Sequence, residues 1–206
     1  MIFILSRQYM AGGSEVAGMI AESLGWEVID DGFVEEVAAR SGYTIEDVRN
    51  LEERVPTFLE RFAQSSALSF PEFLLSVPSA IDEPEAMKLA HVTRDFLEEL
   101  KRRTRVVLVG RAAAAVLSRE QNVLHARLVA SLAHRTLTAM RENDVDEEEA
   151  RAEVEESDTN RERYHREFYD RNWNDPVNYH MVLNTELLGY EGAADLIIHR
   201  ARAMGW

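Results

Sequence analysis

The 206-residue chain contains no cysteine, which excludes disulfides and thiolate metal sites. It also lacks any uninterrupted apolar run near the roughly 18 residues that span a bilayer, and its N-terminus enters a strand rather than a signal peptide. Basic residues are scarce, since 23 of them face 37 acidic ones for a net charge of −14. Such a surface repels polyanions, which argues against binding nucleic acid or a membrane surface. We therefore expect a cytoplasmic protein, in which clustered arginines remain able to hold a small anion.

The N-terminal residues 2–25 combine an apolar strand, a glycine-containing turn and an amphipathic helix. Residues 2–5 are all apolar, as expected of a central parallel strand that is buried on both faces. Apolar residues at helical spacing follow, and Gly25 is a natural stop for the helix. This is the local architecture that holds phosphate groups at a helix N-terminus.

The turn matches part of the phosphate-binding pattern G-x-x-x-x-G-K-[ST]. In register, Arg7 replaces the first glycine, Gly12 is kept, Gly13 replaces the lysine, and Ser14 supplies the hydroxyl. The frame survives, but the lysine is lost, and charge stabilisation is much of what phosphoryl transfer needs from a protein. From these residues alone, a plain strand-to-helix turn and a phosphate-binding loop are equally open.

A second short strand at residues 26–29 ends in Asp30 and Asp31. Carboxylates at the carboxyl end of a parallel strand lie on the edge where α/β proteins bind ligands. Asp31 as the cap of a helix that begins near Phe33 is an equally weighted interpretation.

Residues 33–103 are predicted to be consecutive helices without a strand, of which residues 85–103 form the longest. Prolines punctuate the stretch at positions 56, 71, 78 and 84. About seventy helical residues between two core strands predict an inserted subdomain. At the ligand edge of the sheet, this insertion would be placed to hold a second substrate.

Further strands are predicted at residues 105–111, 122–130 and 179–184, with a closing helix at 191–204. Arg111 follows Gly110 and emerges at the same edge as the first loop, where an arginine is a credible phosphate or base ligand. Ser131 is predicted to cap the helix after the fourth strand. Alternating strands and helices predict an α/β fold with a parallel sheet covered on both faces.

The densest charged cluster lies at residues 157–171, after an acidic helix start. Asp158 and Arg161 are three residues apart and can pair on one helix face, whereas Arg163 points elsewhere. A solvated helix is the default interpretation, and His165 is then expected at the surface. The alternative is a mobile lid whose arginines neutralise charge on a transferred phosphoryl group.

Several of these segments together resemble the cytidylate kinase-like proteins, relatives of bacterial cytidylate kinase among the P-loop nucleoside monophosphate kinases. The segments are SRQYMAGGSEVA, LGWEVID, VGRA, LHARLVA, the D-x-x-R of Asp158 and Arg161, and YHMVLNT. The resemblance spans nearly the whole chain in the right order. It implies a P-loop NTPase-like three-layer sandwich with a parallel five-stranded sheet. It further implies one domain over residues 1–206, with a helical acceptor-binding insertion at 33–103 and a helical lid at about 144–175.

The resemblance also implies roles for particular residues, with ATP or another nucleoside triphosphate as co-substrate and Mg²⁺ as cofactor. Ser14 would be the magnesium hydroxyl. The implied phosphate-binding residues are Arg7, Gly12, Gly13, Ser14 and Glu15. The implied acceptor-binding residues are Asp30, Asp31, Arg40 and Arg111. The implied catalytic residues are Arg7, Asp158, Arg161 and Arg163.

The chain departs from the kinase pattern at defined positions. Besides Arg7 and Gly13, Ala112 stands where the kinases have the aspartate of G-R-D, and Glu36 where they have an arginine, which leaves Arg40 as an unaligned substitute. The cytidylate kinase-like group itself carries R-Q at the loop start and G-G in place of glycine-lysine. The loss therefore looks inherited, and the Arg7 guanidinium is a candidate replacement for the lysine.

We expect a small-molecule kinase that transfers the γ-phosphoryl group of a nucleoside triphosphate to an acceptor such as CMP. A kinase for a different small acceptor and a non-catalytic nucleotide-binding or regulatory protein stay open, the latter because the lysine is missing. A structural protein that uses the fold for oligomer contacts is a further alternative. The expected partners are small-molecule nucleotides, without nucleic acid or membrane, and a homo-oligomer is left open.

Overall fold

A computed structural model describes residues 1–46, 48, 85–100, 102–103, 105–110, 113–117 and 120–206. Predictions that concern residues 49–84, and those for Arg111 and Ala112, lie outside the described residues. The elements in chain order are β1 (Ile2–Arg7), α1 (Gly13–Leu24), β2 (Glu27–Ile29), α2 (Asp31–Ser41), α3 (Glu85–Leu100), β3 (Val106–Val109), α4 (Ala113–Val116), β4 (Val123–Val129), α5 (Leu132–Asn143), α6 (Glu147–Tyr169), a 3₁₀ turn (Pro176–Asn178), β5 (Met181–Asn184) and α7 (Thr185–Ala203).

The described strands form one parallel sheet in the order β2-β3-β1-β4-β5. In its centre, Leu5 of β1 lies beside Val109 of β3 and Ala126 of β4. Ile2 and Ile4 pack into the core with residues of α2, α3 and α4. Phe3 and Leu5 pack into a second core with residues of α1 and α7. The predicted parallel five-stranded sheet between two helical layers is therefore confirmed.

The parallel order brings the carboxyl ends of neighbouring strands to one edge of the sheet. β1 continues into the loop of residues 8–12, β2 ends at Ile29 directly before Asp30, and β3 ends at Val109 directly before Gly110. Gly110 has a left-handed φ of 71° and turns the chain, so the third strand is shorter than predicted. The loop and the ends of β2 and β3 are thereby placed where a ligand can contact all three.

Two helix starts differ from the prediction. α2 begins at Asp31, and Asp30 occupies the cap position without a side-chain cap hydrogen bond, so the prediction that Asp31 caps this helix is wrong. α7 begins at Thr185 rather than at residue 191, because the Asn184 side chain accepts hydrogen bonds from two backbone N–H groups of the first turn. A break at Gly189 separates this turn from the rest of α7, which is the part that the apolar spacing predicted. The predicted cap at Ser131 is confirmed.

The charged cluster belongs to α6, a single helix that Asp146 caps by accepting from the N–H of Glu149. Much of α6 is exposed, yet one face is buried and includes Val154, Tyr164 and His165. The prediction that His165 lies at the surface is wrong, since only 6% of it is exposed. Among the described residues, every helix is too short or too polar to cross a membrane.

Two histidines are buried where protonation is unfavourable. Burial lowers the pKa of His165 to about 3, and the charges of Arg171 and Arg127 add to the effect. Burial likewise lowers the pKa of His125 to about 4, with further contributions from His180 and Arg171. Both histidines are therefore neutral near pH 7, and His165 does not act as a proton carrier there.

These histidines make the folded chain sensitive to acid. The unfolded chain protonates them near pH 6.5, whereas the folded chain resists protonation until about pH 4 and 3, so stability present above pH 6.5 is lost as the pH falls. Each histidine contributes a slope of up to ~1.4 kcal/mol per pH unit to the free energy of unfolding within its window.

We predict that His165→Gln flattens the dependence of the unfolding free energy on pH, measured by urea denaturation from pH 7 to 4.5. The control His199→Gln, at an exposed position of α7, should keep the wild-type slope; equal slopes for His165→Gln and wild type would contradict the prediction.

Candidate functional site

A cleft of about 170 Å³ opens at the carboxyl end of β1. Its wall contains the β1–α1 loop, the first turn of α1 and side chains from α5, α6 and α7. The lining residues are Arg7, Gln8, Tyr9, Met10, Gly12, Gly13, Ser14, Glu15, Thr138, Glu142, Arg161 and Tyr190. The structure thus brings all the predicted phosphate-binding residues together with one arginine of the predicted lid.

The loop has the backbone shape that its glycine requires. Gly12 has a left-handed φ of 77° and immediately precedes α1. A Cβ at this position would overlap the ring of Tyr190, which packs against the loop from α7. No side chain in the described part of the chain caps α1, so its first backbone N–H groups remain suited to receive an anion.

Arg7 extends across the position from which the missing lysine would begin. A Cβ built on Gly13 falls 2.8 Å from Cγ and 3.2 Å from Cδ of Arg7. The guanidinium continues to the end of β3, where its Nη1 occupies the space of a Cβ on Gly110. The stem of Arg7 therefore fills the space in which a lysine at position 13 would start, and its guanidinium lies at the end of β3.

Ser14 and Asp30 join the loop to the end of β2. The Ser14 hydroxyl donates a hydrogen bond to Oδ2 of Asp30 over 3.1 Å. Both residues were predicted to be site residues, Ser14 on the donor side and Asp30 on the acceptor side. The contact places a hydroxyl and a carboxylate next to the first turn of α1, where Glu15 is exposed.

Asp158 and Arg161 lie on one face of α6, which confirms their predicted pairing; Nη1 of Arg161 is 3.7 Å from Oδ1 of Asp158. Asp158 also accepts hydrogen bonds from the Tyr9 backbone N–H at 2.9 Å and from Nη1 of Arg135 at 2.7 Å. The guanidinium of Arg161 lies 5.5 Å from the centre of the Tyr9 ring. Asp158 thus fastens α6 to the loop, while Arg161 reaches the cleft.

Two further predicted residues whose side chains the structure describes, Arg40 and Arg163, are not brought to this cleft. Arg40 pairs with Glu36 at 2.7 Å and with Glu99 at 2.8 Å, and its guanidinium lies 4.7 Å from the centre of the Phe96 ring. These contacts place Arg40 between α2 and α3. Arg163 does not line the cleft. Arg111 and the side chain of Asp31 are outside what the structure describes.

Sequence reasoning missed several side chains that shape the loop. The Tyr9 hydroxyl donates to Oε1 of Glu153 over 2.5 Å, and Glu153 also accepts from the Asn143 amide at 2.7 Å. Tyr190 covers Gly12 from the other side. Glu153 is 144 residues from Tyr9, and no local motif links them. An aromatic residue within the loop was the single available signal.

Comparison with known proteins supports the fold and the family. The model of the cytidylate kinase-like family matches residues 2–187. An uncharacterized protein from Eubacterium ventriosum has a similar structure, with a TM-score of 0.68, 20% identity and coverage of 97% of each chain. Shikimate kinase from Acinetobacter baumannii, in complex with shikimate, matches with a TM-score of 0.52 and 15% identity over 98% of this chain and 93% of its own. Shikimate kinase from Bacteroides thetaiotaomicron matches with a TM-score of 0.52 and 13% identity, over 99% and 97%. A comparison with curated proteins gives no match.

Proposed function

Because the chain belongs to the cytidylate kinase-like family, we propose that it is a phosphotransferase that binds a nucleoside triphosphate in the cleft. It transfers the γ-phosphoryl group to a small acceptor, and a nucleotide such as CMP is the proposed acceptor. The observation that carries this proposal is the course of Arg7 across Gly13. The loop has lost the lysine at position 13, but the aliphatic stem of Arg7 occupies the space of that residue's Cβ, and Arg7 lines the cleft.

On the donor side, the first N–H groups of α1 would hold phosphate oxygens, as at other helix N-termini. The Arg7 guanidinium offers a planar set of donors that suits bidentate contact with phosphate. Arg161 approaches the cleft from α6. Two guanidinium groups from different elements would thus offset charge on the transferred group, which is the main requirement of phosphoryl transfer.

The transfer step needs no protein nucleophile. An oxygen of the acceptor phosphate forms a bond to the γ-phosphorus, while the bond from that phosphorus to the bridging oxygen breaks and the diphosphate leaves. An ionised phosphate has no proton to lose, so no general base is needed. The task of the protein is then positioning and charge stabilisation, which the neutral, buried His165 does not serve.

Magnesium fits the donor side of the proposed site. Ser14 Oγ and Asp30 Oδ2 lie 3.1 Å apart, and Mg²⁺ takes oxygen ligands from one or two protein groups together with substrate phosphates. We propose that these two residues hold the ion, directly or through water. A bound Mg²⁺ neutralises phosphate charge.

The acceptor side of the proposed site lies at the carboxyl ends of β2 and β3. Asp30 lies at the end of β2 beside Ser14, and the Arg7 head lies over Gly110, directly before Arg111. We propose that Asp30, Asp31 and Arg111 contact the acceptor, with the insertion at residues 33–103 enclosing it. In the same proposal, residues 144–175 cover the donor side.

A nucleotide-binding protein without transferase activity is the second candidate. It is favoured by Asp158, whose carboxylate is engaged by Tyr9, Arg135 and Arg161 rather than directed to a ligand. The two candidates share the triphosphate site and differ in turnover. Incubation with each triphosphate and a panel of monophosphates, followed by chromatographic separation of the nucleotides, distinguishes them.

The Arg7 and Gly13 positions allow a reciprocal test of the site. We predict that Arg7→Ala weakens binding of Mg²⁺-triphosphate by about tenfold to a hundredfold, because charge-assisted hydrogen bonds are lost. Gly13→Lys alone should also weaken binding, since its Cβ would overlap the Arg7 stem. The double variant Arg7→Gly/Gly13→Lys converts the loop to G-Q-Y-M-A-G-K-S and should regain binding. Isothermal titration calorimetry measures each affinity.

Arg151→Ala is the matched control, because it removes an exposed arginine of α6 that pairs with Glu155. It should bind triphosphate like the wild type. Unchanged binding by Arg7→Ala would overturn the role of Arg7. Absence of binding of every triphosphate to the wild type would overturn the proposed function.

The magnesium assignment predicts a second effect. Triphosphate should bind more tightly with Mg²⁺ than with a chelator, and Ser14→Ala and Asp30→Asn should each reduce that difference, because each removes a proposed ligand. Ser41→Ala is the control, since its hydroxyl bonds the Ala38 carbonyl at the end of α2. Calorimetric titration with and without Mg²⁺ gives the difference. A full magnesium effect in both site variants would contradict the assignment.

A further inference from the structure

Tyr9 lies inside the phosphate loop, and both of its backbone polar groups are bound by charged side chains. Its N–H donates to Asp158 Oδ1 at 2.9 Å, and its carbonyl accepts from Arg135 Nη1 at 3.1 Å. The two side chains also bond each other at 2.7 Å. Asp158 comes from α6 and Arg135 from α5, so the two helices hold the two peptide groups on either side of the same loop residue.

The Tyr9 side chain is held by the same two helices. Its hydroxyl donates to Glu153 of α6, and the Asn143 amide at the end of α5 lies 3.4 Å from that hydroxyl. The Arg161 guanidinium lies above its ring. Burial, followed by the hydrogen bond to Glu153, raises the pKa of Tyr9 to about 12. The phenol therefore stays protonated and continues to donate at neutral pH.

The ion pair between Arg135 and Asp158 is largely shielded from solvent. The Arg135 side chain is 6% exposed and that of Asp158 17% exposed, so water screens the pair weakly. Arg135 is further fixed by a bond from its Nε to the Ala130 carbonyl at the end of β4. The anchor for the loop is thus connected to the central sheet as well as to the helices.

We propose that Tyr9 is the positioning residue of the phosphate loop, and that the α5–α6 hairpin (residues 132–169) sets the loop's binding conformation through it. The hairpin and the loop then form one unit, in which Tyr9 also fixes the distance from Arg161 to the loop. The helix predicted as a mobile lid is fastened to the loop over which it would close. The expected effect on triphosphate affinity rests on the proposed function, whereas the fastening itself does not.

The fastening is tested without ligand, by hydrogen–deuterium exchange and mass spectrometry of peptides that cover residues 8–12. Tyr9→Phe removes one donor, and Glu153→Gln keeps an acceptor but removes its charge. Loss of about 1 kcal/mol of local stability corresponds to about fivefold faster exchange. We expect that increase for Tyr9→Phe and a smaller one for Glu153→Gln. Glu155→Gln, on an exposed stretch of the same helix and bonded to Arg151, is the control and should exchange like the wild type.

The effect on binding is tested by calorimetry with Mg²⁺-ATP and Mg²⁺-GTP. Tyr9→Phe should weaken binding of whichever triphosphate the wild type binds by about fivefold to tenfold. Val123→Ala is the stability control, because Val123 is buried in the core on the other face of the sheet and lies at the amino end of β4. It should lower the melting temperature by more than Tyr9→Phe does, yet leave the affinity unchanged. A purely structural role for Tyr9 would make affinity follow melting temperature in both variants.

The outcomes separate the two proposals. Exchange in Tyr9→Phe that equals the wild-type rate overturns the fastening through the Tyr9 hydroxyl. Faster exchange with unchanged affinity overturns the positioning role. A wild type that binds neither triphosphate overturns the proposed function instead, and the ligand-free exchange then still decides whether the hairpin holds the loop.

Discussion

The central position of β1 is the constraint on which the rest of the site depends. Its apolar residues are buried on both faces, and its neighbours in the sheet fix it on both sides. The chain can change direction only at the carboxyl end of the strand, where Arg7 is the last strand residue. From that point an arginine side chain is long enough to pass the first turn of α1 and reach the end of β3. Arg7 lies next to Gly13 in the first and Gly110 at the second.

The arginine at position 7 and the glycine at position 13 are linked by a steric constraint. A lysine at position 13 and an arginine at position 7 require the same volume, so one of the two positions has to be small. In the ordinary pattern the small residue is the glycine at the start of the motif, where this chain has Arg7. In this chain the small residue is Gly13, at the lysine position of the motif. A loop that lacks its lysine is therefore not equivalent to a loop that lacks a cation. In the proposed function, Arg7 supplies from the end of β1 the charge that a lysine at position 13 would supply.

Local patterns in the sequence predicted the parallel sheet and singled out loop residues that line one cleft in the structure. The apolar run before the turn predicted β1, and the spacing after it predicted α1 up to Gly25. The same reasoning failed where the deciding contact is distant or concerns packing. His165 looked like a surface residue because its neighbours are charged, yet it faces the buried side of α6. The partners of Tyr9 follow more than 120 residues later, and only the assembled fold brings them to the loop.

The charges of the cleft also constrain how a nucleotide would lie in it. Arg7 and Arg161 are on its wall, but so are the carboxylates of Glu15 and Glu142. The two acidic groups act on Tyr190, because they add to the burial that raises its pKa. A polyanion is repelled at that end and attracted towards Arg7 and Arg161. In a chain with a net charge of −14, the two arginines would give the proposed phosphate ligand a local positive potential that the surface as a whole lacks.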